Sequence, residues 1–371
     1  MTDGFSIVAM GDVMLARDVE AHFRRAPDDF AMAEIRSRLA RYDLVLVNLE
    51  NPVGTRGAPH PKQDPHVAFR SHPDTLDVLE NLGTQVVTLA NNHPLDYGPE
   101  TLVDTLDHLD ARGIRHVGAG RNYEEANQPL LLRLGGQDVA LLAYVFIYSA
   151  STERATRTSP GVSDYRIDKI LARIRSLAKA GRQVVVTIHW GHEYSFYPLP
   201  YQMKQARRMI DAGARLIIGH GPHYLQGIER YRGGEIVYSM GNFVFDEPYP
   251  FAKRGFIYGA RVTPETIERE LHPYVIHEHV PQLATGAEER RLRSYVDALS
   301  QGYPRKSDRF WANRNNDYLN DIIKRVVRMK STKFVFLPPL SFYTSMGPRK
   351  LLEKAQRGAR LLGRRLAERV G

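Results

Sequence analysis

The chain has 371 residues, and its content of 43% hydrophobic and 25% charged residues excludes a largely disordered protein. It has no cysteine, which excludes disulfides and thiolate metal sites and leaves His, Asp, Glu and Asn as metal ligands. The net charge of +9 is concentrated in residues 304–371, where 17 Lys and Arg face five acidic residues. The rest is nearly neutral, so no nucleic-acid partner is expected. No segment has the length and apolarity of a signal peptide or membrane span, which predicts a cytoplasmic protein.

Short apolar runs alternate with helical patterns in chain order. The runs predict strands at Ser6–Gly11, Leu44–Leu49, Val86–Leu89, His116–Gly118, Val139–Ile147, Val184–Ile188, Leu216–Gly219 and Ile236–Tyr238. Helices are predicted at Pro99–Arg112, Asp168–Ala180 and Gln202–Ala212, each followed by glycine. Several strands are continuous Val, Ile and Leu runs, which favours strands covered on both faces. We therefore expect a layered α/β sandwich flanked by helices, with mixed sheets where hairpins occur.

Two loops and a basic tail complete the predicted organisation. Gly54–Ser71 and Ser149–Ser163 lack periodicity, and loops of this length often face a substrate. We expect one domain over residues 1–303 and a basic, partly helical extension over residues 304–371. Residues 349–370 have the pattern of a basic amphipathic helix. Its apolar stripe predicts docking on the protein's own body or on a second copy in a homodimer, and its basic face predicts peripheral contact with an anionic membrane surface.

The segment Leu89–Gly98 follows a predicted strand and brings an amide, an imidazole and a carboxylate together at Asn92, His93 and Asp96. Strand ends of this kind present ligand-binding groups in α/β sheets. Asn92 could offer an oxygen to a metal and His93 could transfer a proton. Asp96 could hold the His93 ring in one orientation. Asp96 and Gly98 are also ordinary turn residues, so this segment alone does not decide between a turn and a site.

Metal-capable residues recur at the ends of the other predicted strands. They occur in the segments Gly11-Asp12, Asn48-Leu49-Glu50, His189-Trp190-Gly191-His192-Glu193, Gly219-His220-Gly221-Pro222-His223 and Ser239-Met240-Gly241-Asn242-Phe243. A single strand-end histidine is more often a structural polar residue than a ligand. A set of such segments at equivalent edges predicts a site assembled from several loops. Oxygen and imidazole ligands around a shared carboxylate suit two divalent cations.

In this order, the segments resemble the motifs of the CapA family, which is named for poly-γ-glutamate capsule synthesis and is similar in fold to calcineurin-like metallophosphoesterases. The motifs are Gly-Asp, Asn-Leu-Glu, Ala-Asn-Asn-His-x-x-Asp-Tyr-Gly, His-Trp-Gly-x-Glu, Gly-His-x-Pro-His and Tyr-Ser-x-Gly-Asn-Phe, within about residues 5–246. The third motif is also similar to one of 5′-nucleotidases, in which the His and Asp form a catalytic pair. The resemblance implies a metallophosphoesterase-like sandwich.

The resemblance also implies a role for each residue. It implies divalent metal ions, two in number and drawn from Mn, Fe or Zn, with the ligands Asp12, Glu50, Asn92, His189, His220 and His223. His93 would protonate the leaving group or stabilise the developing oxyanion, and Asp96 would orient it. His192 and Glu193 would support the ligands or contact the substrate. Apart from the resemblance, Asn242 is interpreted first as a turn residue and second as a substrate contact, and Arg17 either holds an anionic substrate or is a solvated surface charge.

Three departures from the metallophosphoesterase pattern concern the metal sites. Met14 occupies the position of the His in the Asp-x-His motif, and a thioether is a poor ligand for a hard cation. Glu50 stands where the bridging residue is usually Asp. Two residues separate His220 from His223 where one is usual, so the resemblance does not assign either histidine to a particular metal.

These features predict a metal-dependent hydrolase or acyl transferase that uses a metal-activated water and the His93–Asp96 acid/base pair. Its substrate would be an anionic γ-glutamyl amide or phosphoester, either a polymer or a small molecule. Both bond types need a polarised oxygen and an activated water, so the residues do not choose between them. The alternative is a non-catalytic metal-binding assembly factor for cell-surface polymer synthesis, docked through the basic tail.

Overall fold

A computed structural model describes residues 4–65, 67–146, 149 and 151–301 of the protein. The predicted extension over residues 304–371, including the amphipathic pattern at 349–370, lies outside the described residues. The division into two domains therefore stays a prediction. Within the described ranges, no helix combines the length and the apolar character that crossing a bilayer requires.

All eight predicted strands and all three predicted helices are present, with ends within two residues of those predicted. The described strands, β1 to β16, are Phe5–Val13, Leu44–Leu49, Val86–Thr88, Arg115–Val117, Ala119–Gly120, Leu130–Leu134, Gln137–Val145, Gly161–Val162, Gln183–His189, Ala214–His220, Ile228–Tyr231, Gly234–Val237, Asn242–Val244, Arg254–Val262, Ile267–His277 and Val280–Leu283. The described α-helices, α1 to α8, are Arg17–Arg25, Ala33–Leu39, Asp77–Asn81, Pro99–Ala111, Tyr123–Asn127, Ile167–Lys179, Pro200–Asp211 and Gly286–Ser300. Short 3-10 helices lie at Pro27–Ala31 and Pro73–Leu76.

Two mixed sheets form the body. The first has the order β16-β15-β14-β1-β2-β3-β4, with β13 also paired to β1. In it, β1 to β4 run parallel, and β14 to β16 are added antiparallel. The second has the order β11-β12-β10-β9-β7-β6 and is antiparallel only at its two edges. The mixed sheets that the sequence predicts are confirmed.

The second sheet contributes to two hydrophobic cores. Leu216 and Ile218 belong to a large core that also contains residues of the first sheet, such as Val47. Ile217 faces the other way and belongs to a second core with Ile174 of α6 and Met203 of α7. Because side chains on a strand alternate between faces, the single strand β10 supports both layers. This arrangement confirms the layered α/β sandwich.

The carboxyl ends of the central strands of both sheets meet at one place. Asp12 is in register with Asn48 across β1 and β2, and His220 is in register with His189 across β10 and β9. The two sheets touch there, since Asp12 Oδ1 lies 2.8 Å from His220 Nδ1. Beside Asp12, Gly11 allows β1 to approach the segment before β13, because a Cβ at that position would lie 2.1 Å from the carbonyl oxygen of Gly241.

Candidate metal centre

Five buried side chains form a group that we call the histidine–carboxylate cluster: Asp12, Glu50, His189, His220 and His223. Ligand-capable atoms of Asp12, Glu50 and His223 all lie within 4.8 Å of one another. His220 joins them through its 2.8 Å contact with Asp12. His189 Nε2 lies 3.6 Å from Glu50 Oε1, and His223 Nε2 lies 3.6 Å from the same oxygen. The fold thus brings together five of the six ligands that the sequence predicts.

Several buried atoms in this region have no hydrogen-bond partner among the described residues, namely Glu50 Oε1, Asn92 Oδ1 and His220 Nε2. His220 Nδ1 faces the Asp12 carboxylate, which places the ring proton on Nδ1 and leaves a lone pair on Nε2. Leaving buried polar atoms unpaired is costly. A divalent cation would satisfy carboxylate, amide and imidazole atoms together. The residues present therefore fit a bound metal.

The electrostatics of the cluster reflect crowded charges. Burial acts to raise the pKa of Asp12, but hydrogen bonds from His220 and His223 outweigh it and hold that pKa well below its usual range. Burial, reinforced by the charge of Asp12, raises the pKa of Glu50 well above its ordinary value. Burial acts to lower the pKa of His223, but the charge of Glu50 and contact with Asp12 raise it well above its ordinary value. The crowding of the two carboxylates therefore moves their pKa values apart, with that of Asp12 lowered and that of Glu50 raised.

The His93–Asp96 pair lies in the segment after β3. His93 Nδ1 is 2.7 Å from Asp96 Oδ2, and the backbone N–H of Phe69 donates to the same oxygen at 2.9 Å. Asp96 Oδ1 accepts from Gln63 Nε2 at 2.8 Å and from Ser151 Oγ at 2.7 Å. The Phe69 ring stacks on the His93 ring with 4.2 Å between centroids. These contacts fix both members of the pair in one orientation.

Asn92 contacts His93 through its side-chain amide. Because His93 Nδ1 donates to Asp96, its Nε2 is an acceptor. Asn92 Nδ2 lies 3.0 Å from that Nε2 and donates to it. This hydrogen bond turns the amide so that Asn92 Oδ1 is left without a partner among the described residues.

Two amides that sequence reasoning left without a role connect the cluster to the pair. Asn48 Nδ2 donates to Asp12 Oδ1 at 2.9 Å and lies 3.5 Å from His189 Nδ1. Asn91 Nδ2 donates to Asn48 Oδ1 at 3.2 Å, and Asn91 Oδ1 accepts from the backbone N–H of His93 at 3.0 Å. Asn91 directly precedes the predicted ligand Asn92, and Asn48 lies two residues before the predicted ligand Glu50. This closeness in sequence is the signal that could have assigned them to the site.

The residues predicted to support the ligands lie around the cluster. Asn242 Oδ1 is 2.8 Å from His223 Nδ1, so it orients that ring. The charge of Glu193 acts on both Glu50 and His223. His192 is partly buried, and burial lowers its pKa.

Arg17 and Met14 are engaged by other groups. Arg17 donates to the Asp246 carboxylate, and its guanidinium lies 4.5 Å from the centre of the Phe69 ring. The Met14 sulfur accepts the backbone N–H of Ala16 at 3.1 Å. The Met14 thioether is therefore engaged in a local hydrogen bond to the backbone.

The fold and the cluster together define a layered α/β protein with a candidate metal centre between two sheets. The chain belongs to the family described as bacterial capsule synthesis protein PGA_cap, whose model matches residues 6–247. The capsule biosynthesis protein CapA of Bacillus anthracis is 30% identical over 331 residues, which cover 86% of this chain and 80% of that protein. The PGA biosynthesis protein CapA of Bacillus subtilis is 32% identical over 281 residues, which cover 75% and 73%. The predicted family is thereby confirmed.

Similarity to solved structures is lower. The Haemophilus influenzae NAD nucleotidase aligns with 86% of this chain and 60% of its own, at 13% identity and a TM-score of 0.42. This overlap is too low to support an argument about activity.

Proposed function

We propose that this protein is a metal-dependent hydrolase or acyl transferase that acts on a γ-glutamyl amide of an anionic glutamyl chain. The observation that carries the proposal is the pair of buried, unpartnered ligand atoms Glu50 Oε1 and His220 Nε2 beside Asp12. Two amides, Asn48 and Asn91, link Asp12 to the oriented His93. A glutamyl substrate is supported by the names of relatives. One is called a PGA biosynthesis protein, and another, from Mycobacterium tuberculosis, is a "Probable polyglutamine synthesis accessory protein".

The residues that would hold the metal ions are Asp12, Glu50, Asn92, His189, His220 and His223. When bound, such ions polarise a substrate oxygen and bring the pKa of water towards neutrality. The chain itself orients the ligands. His220 donates Nδ1–H to Asp12, and Asn48 donates to the same carboxylate. Such outer contacts fix the ring tautomer and the direction of each ligand lone pair.

His93 would act on the leaving nitrogen or the developing oxyanion through Nε2. Asp96 holds the proton of the ring on Nδ1, and the stacked Phe69 ring keeps the imidazole in place. The Asp96 carboxylate faces Nδ1–H and so keeps the ring oriented while Nε2 exchanges a proton. Phosphoester cleavage would use the same groups, so substrates of both classes belong in the test.

The test is turnover of γ-glutamyl-p-nitroanilide and p-nitrophenyl phosphate by the full chain loaded with Mn²⁺, Fe²⁺ or Zn²⁺. We expect amide turnover by the wild type, loss of turnover in His93→Gln with metal retained, and loss of both in Asp12→Asn. Turnover of p-nitrophenyl phosphate alone would show that the enzyme cleaves a phosphoester and not an amide. Absence of both activities at full metal loading would refute the hydrolase.

A second candidate is a non-catalytic assembly factor, which the word "accessory" in the name of the Mycobacterium tuberculosis relative favours. It predicts that His93→Gln, which leaves the cluster intact, still supports polymer synthesis in a complemented strain. The enzyme account predicts that the same variant fails.

A further inference from the structure

An acidic and aromatic group lies beside the histidine–carboxylate cluster. We call it the Glu247 subsite and define it as Glu193, Tyr194, Glu247 and Tyr249. Tyr194 Oη donates to Glu247 Oε1 at 2.9 Å. The other carboxylate oxygen, Glu247 Oε2, is buried and has no hydrogen-bond partner among the described residues. The Tyr249 ring lies edge-on to the Tyr194 ring with 5.0 Å between centroids.

The Glu247 subsite adjoins the candidate metal centre. The Tyr194 ring centroid is 5.9 Å from that of His223, and the Tyr194 backbone N–H donates to the carbonyl of Pro222 at 2.7 Å. The charges of Glu193 and Glu247 both act on Glu50. The charge of Glu193 also acts on His223, and that of His223 acts on Glu247. Tyr194 itself has a φ of 60°, a left-handed conformation that is uncommon for a bulky residue and clusters at functional sites.

No cationic side chain of the described residues donates a hydrogen bond to Glu247 Oε2, although the charge of His223 acts on Glu247. Arg17 acts on Glu247 from a distance, but its guanidinium donates to the carboxylate of Asp246. Glu247 Oε2 therefore presents a buried acceptor for which the described chain supplies no donor.

A carboxylate flanked by aromatic rings suits an organic ammonium group. The ammonium donates a charge-assisted hydrogen bond to the carboxylate, and nearby aromatic rings attract its positive charge. A hard divalent cation instead requires several oxygen ligands, which two tyrosine rings do not provide. The neighbouring carboxylates disfavour an anionic end of a substrate at this position.

We propose that Glu247, supported by Glu193, Tyr194 and Tyr249, binds a primary ammonium group of the substrate next to the metal centre. This inference rests on the proposed function, because in a glutamyl chain linked through γ-amides only the amino-terminal residue has a free ammonium. The site would then act on the amino end of the chain, or on a small γ-glutamyl amide, and not on internal bonds.

The test compares two ligands, the dipeptide γ-glutamylglutamate and its N-acetyl derivative, in which an uncharged acetamide replaces the ammonium group. Their affinities are measured by isothermal titration calorimetry on the full chain loaded with Mn²⁺. We expect the free amine to bind at least about tenfold more tightly, as a charge-assisted contact implies. The preference should vanish in Glu247→Gln and persist in Glu288→Gln, a control at an exposed acid in α8.

Equal affinities in the wild type would overturn the inference, and so would a preference that survives Glu247→Gln or the failure of both peptides to bind. The proposed function is judged separately by turnover. If γ-glutamyl-p-nitroanilide and its N-acetyl form are cleaved equally, the hydrolase proposal is supported and the ammonium subsite is refuted. If the free amine binds more tightly but neither compound is cleaved, the ammonium subsite is supported and the hydrolase proposal is refuted.

Discussion

The histidine–carboxylate cluster and the His93–Asp96 pair are both buried and adjoin each other, yet the chain satisfies them very differently. Each oxygen of Asp96 has two partners, from His93 and Phe69 on one side and from Gln63 and Ser151 on the other. Glu50 Oε1 has none among the described residues. A buried polar group without a partner costs about 1–3 kcal/mol. The pair is therefore complete without a ligand, whereas the cluster is complete only when a cation is added.

Replacement of His93 by glutamine should have the largest effect on turnover and none on metal binding. Glutamine keeps a polar side chain but cannot transfer a proton, and a positioned acid or base contributes about 10²–10⁴-fold to rate. We expect kcat to fall by that factor while the metal content per chain is unchanged. Loss of metal in His93→Gln would show that the two halves of the site are not separable.

Replacement of Glu50 by glutamine should stabilise the metal-free protein above about pH 4.5, the ordinary pKa of a glutamate. Burial and the charge of Asp12 raise the folded pKa of Glu50, so the folded state holds a proton that the unfolded chain releases. The stability of the wild type is therefore full below that pH and falls as the pH rises through the raised pKa. Each tenfold difference in proton affinity is about 1.4 kcal/mol.

The measurement is urea unfolding of both proteins in chelator between pH 4.5 and 8. The wild-type curve should fall relative to that of Glu50→Gln as the pH increases. With saturating Mn²⁺ the order should reverse, because the wild type gains the binding energy of the metal. Parallel curves with and without metal would contradict the account.

Replacement of Ser151 by alanine should have the smallest effect on turnover, because it changes only the contacts of the His93–Asp96 pair. It removes one of the four hydrogen bonds to Asp96 and should cost about 1 kcal/mol of stability with a several-fold loss of kcat. Ser163→Ala is the matched control, since Ser163 is equally buried and donates to the carbonyl of Ala143. It should lose similar stability with no change in kcat. Equal kcat in both variants would mean that Ser151 does not position Asp96.

The sequence predicts most of the parallel strands of both sheets, because most of them are continuous apolar runs, but it does not predict β13, which pairs parallel with β1. It does not predict the antiparallel strands β14 to β16. The outer part of β15 reads Glu268-Arg269-Glu270 and is exposed, so it has no apolar pattern and depends on pairing with β14 for its structure. Charged, solvent-facing strands of this kind carry little local signal.

In the candidate site too, some contacts can be predicted from the sequence and others cannot. His93 and Asp96 are three residues apart, so their pairing follows from local spacing, and the structure gives a 2.7 Å contact. The roles of Gln63 and Ser151 depend on two loops that fold onto Asp96 from distant parts of the chain. Periodicity says nothing about where such loops come to rest, and only tertiary packing brings them there.

The most direct test of the central claim is the metal content of the full chain, purified without chelator and then equilibrated with Mn²⁺, Fe²⁺ or Zn²⁺. Inductively coupled plasma mass spectrometry should find one to two equivalents per chain in the wild type and in Asp168→Asn, a control at an exposed side chain. Asp12→Asn should retain less than about a tenth of that amount, as expected when a ligand and its hydrogen bonds are lost together. A wild type without metal under every loading condition would contradict the account, and so would full occupancy in Asp12→Asn.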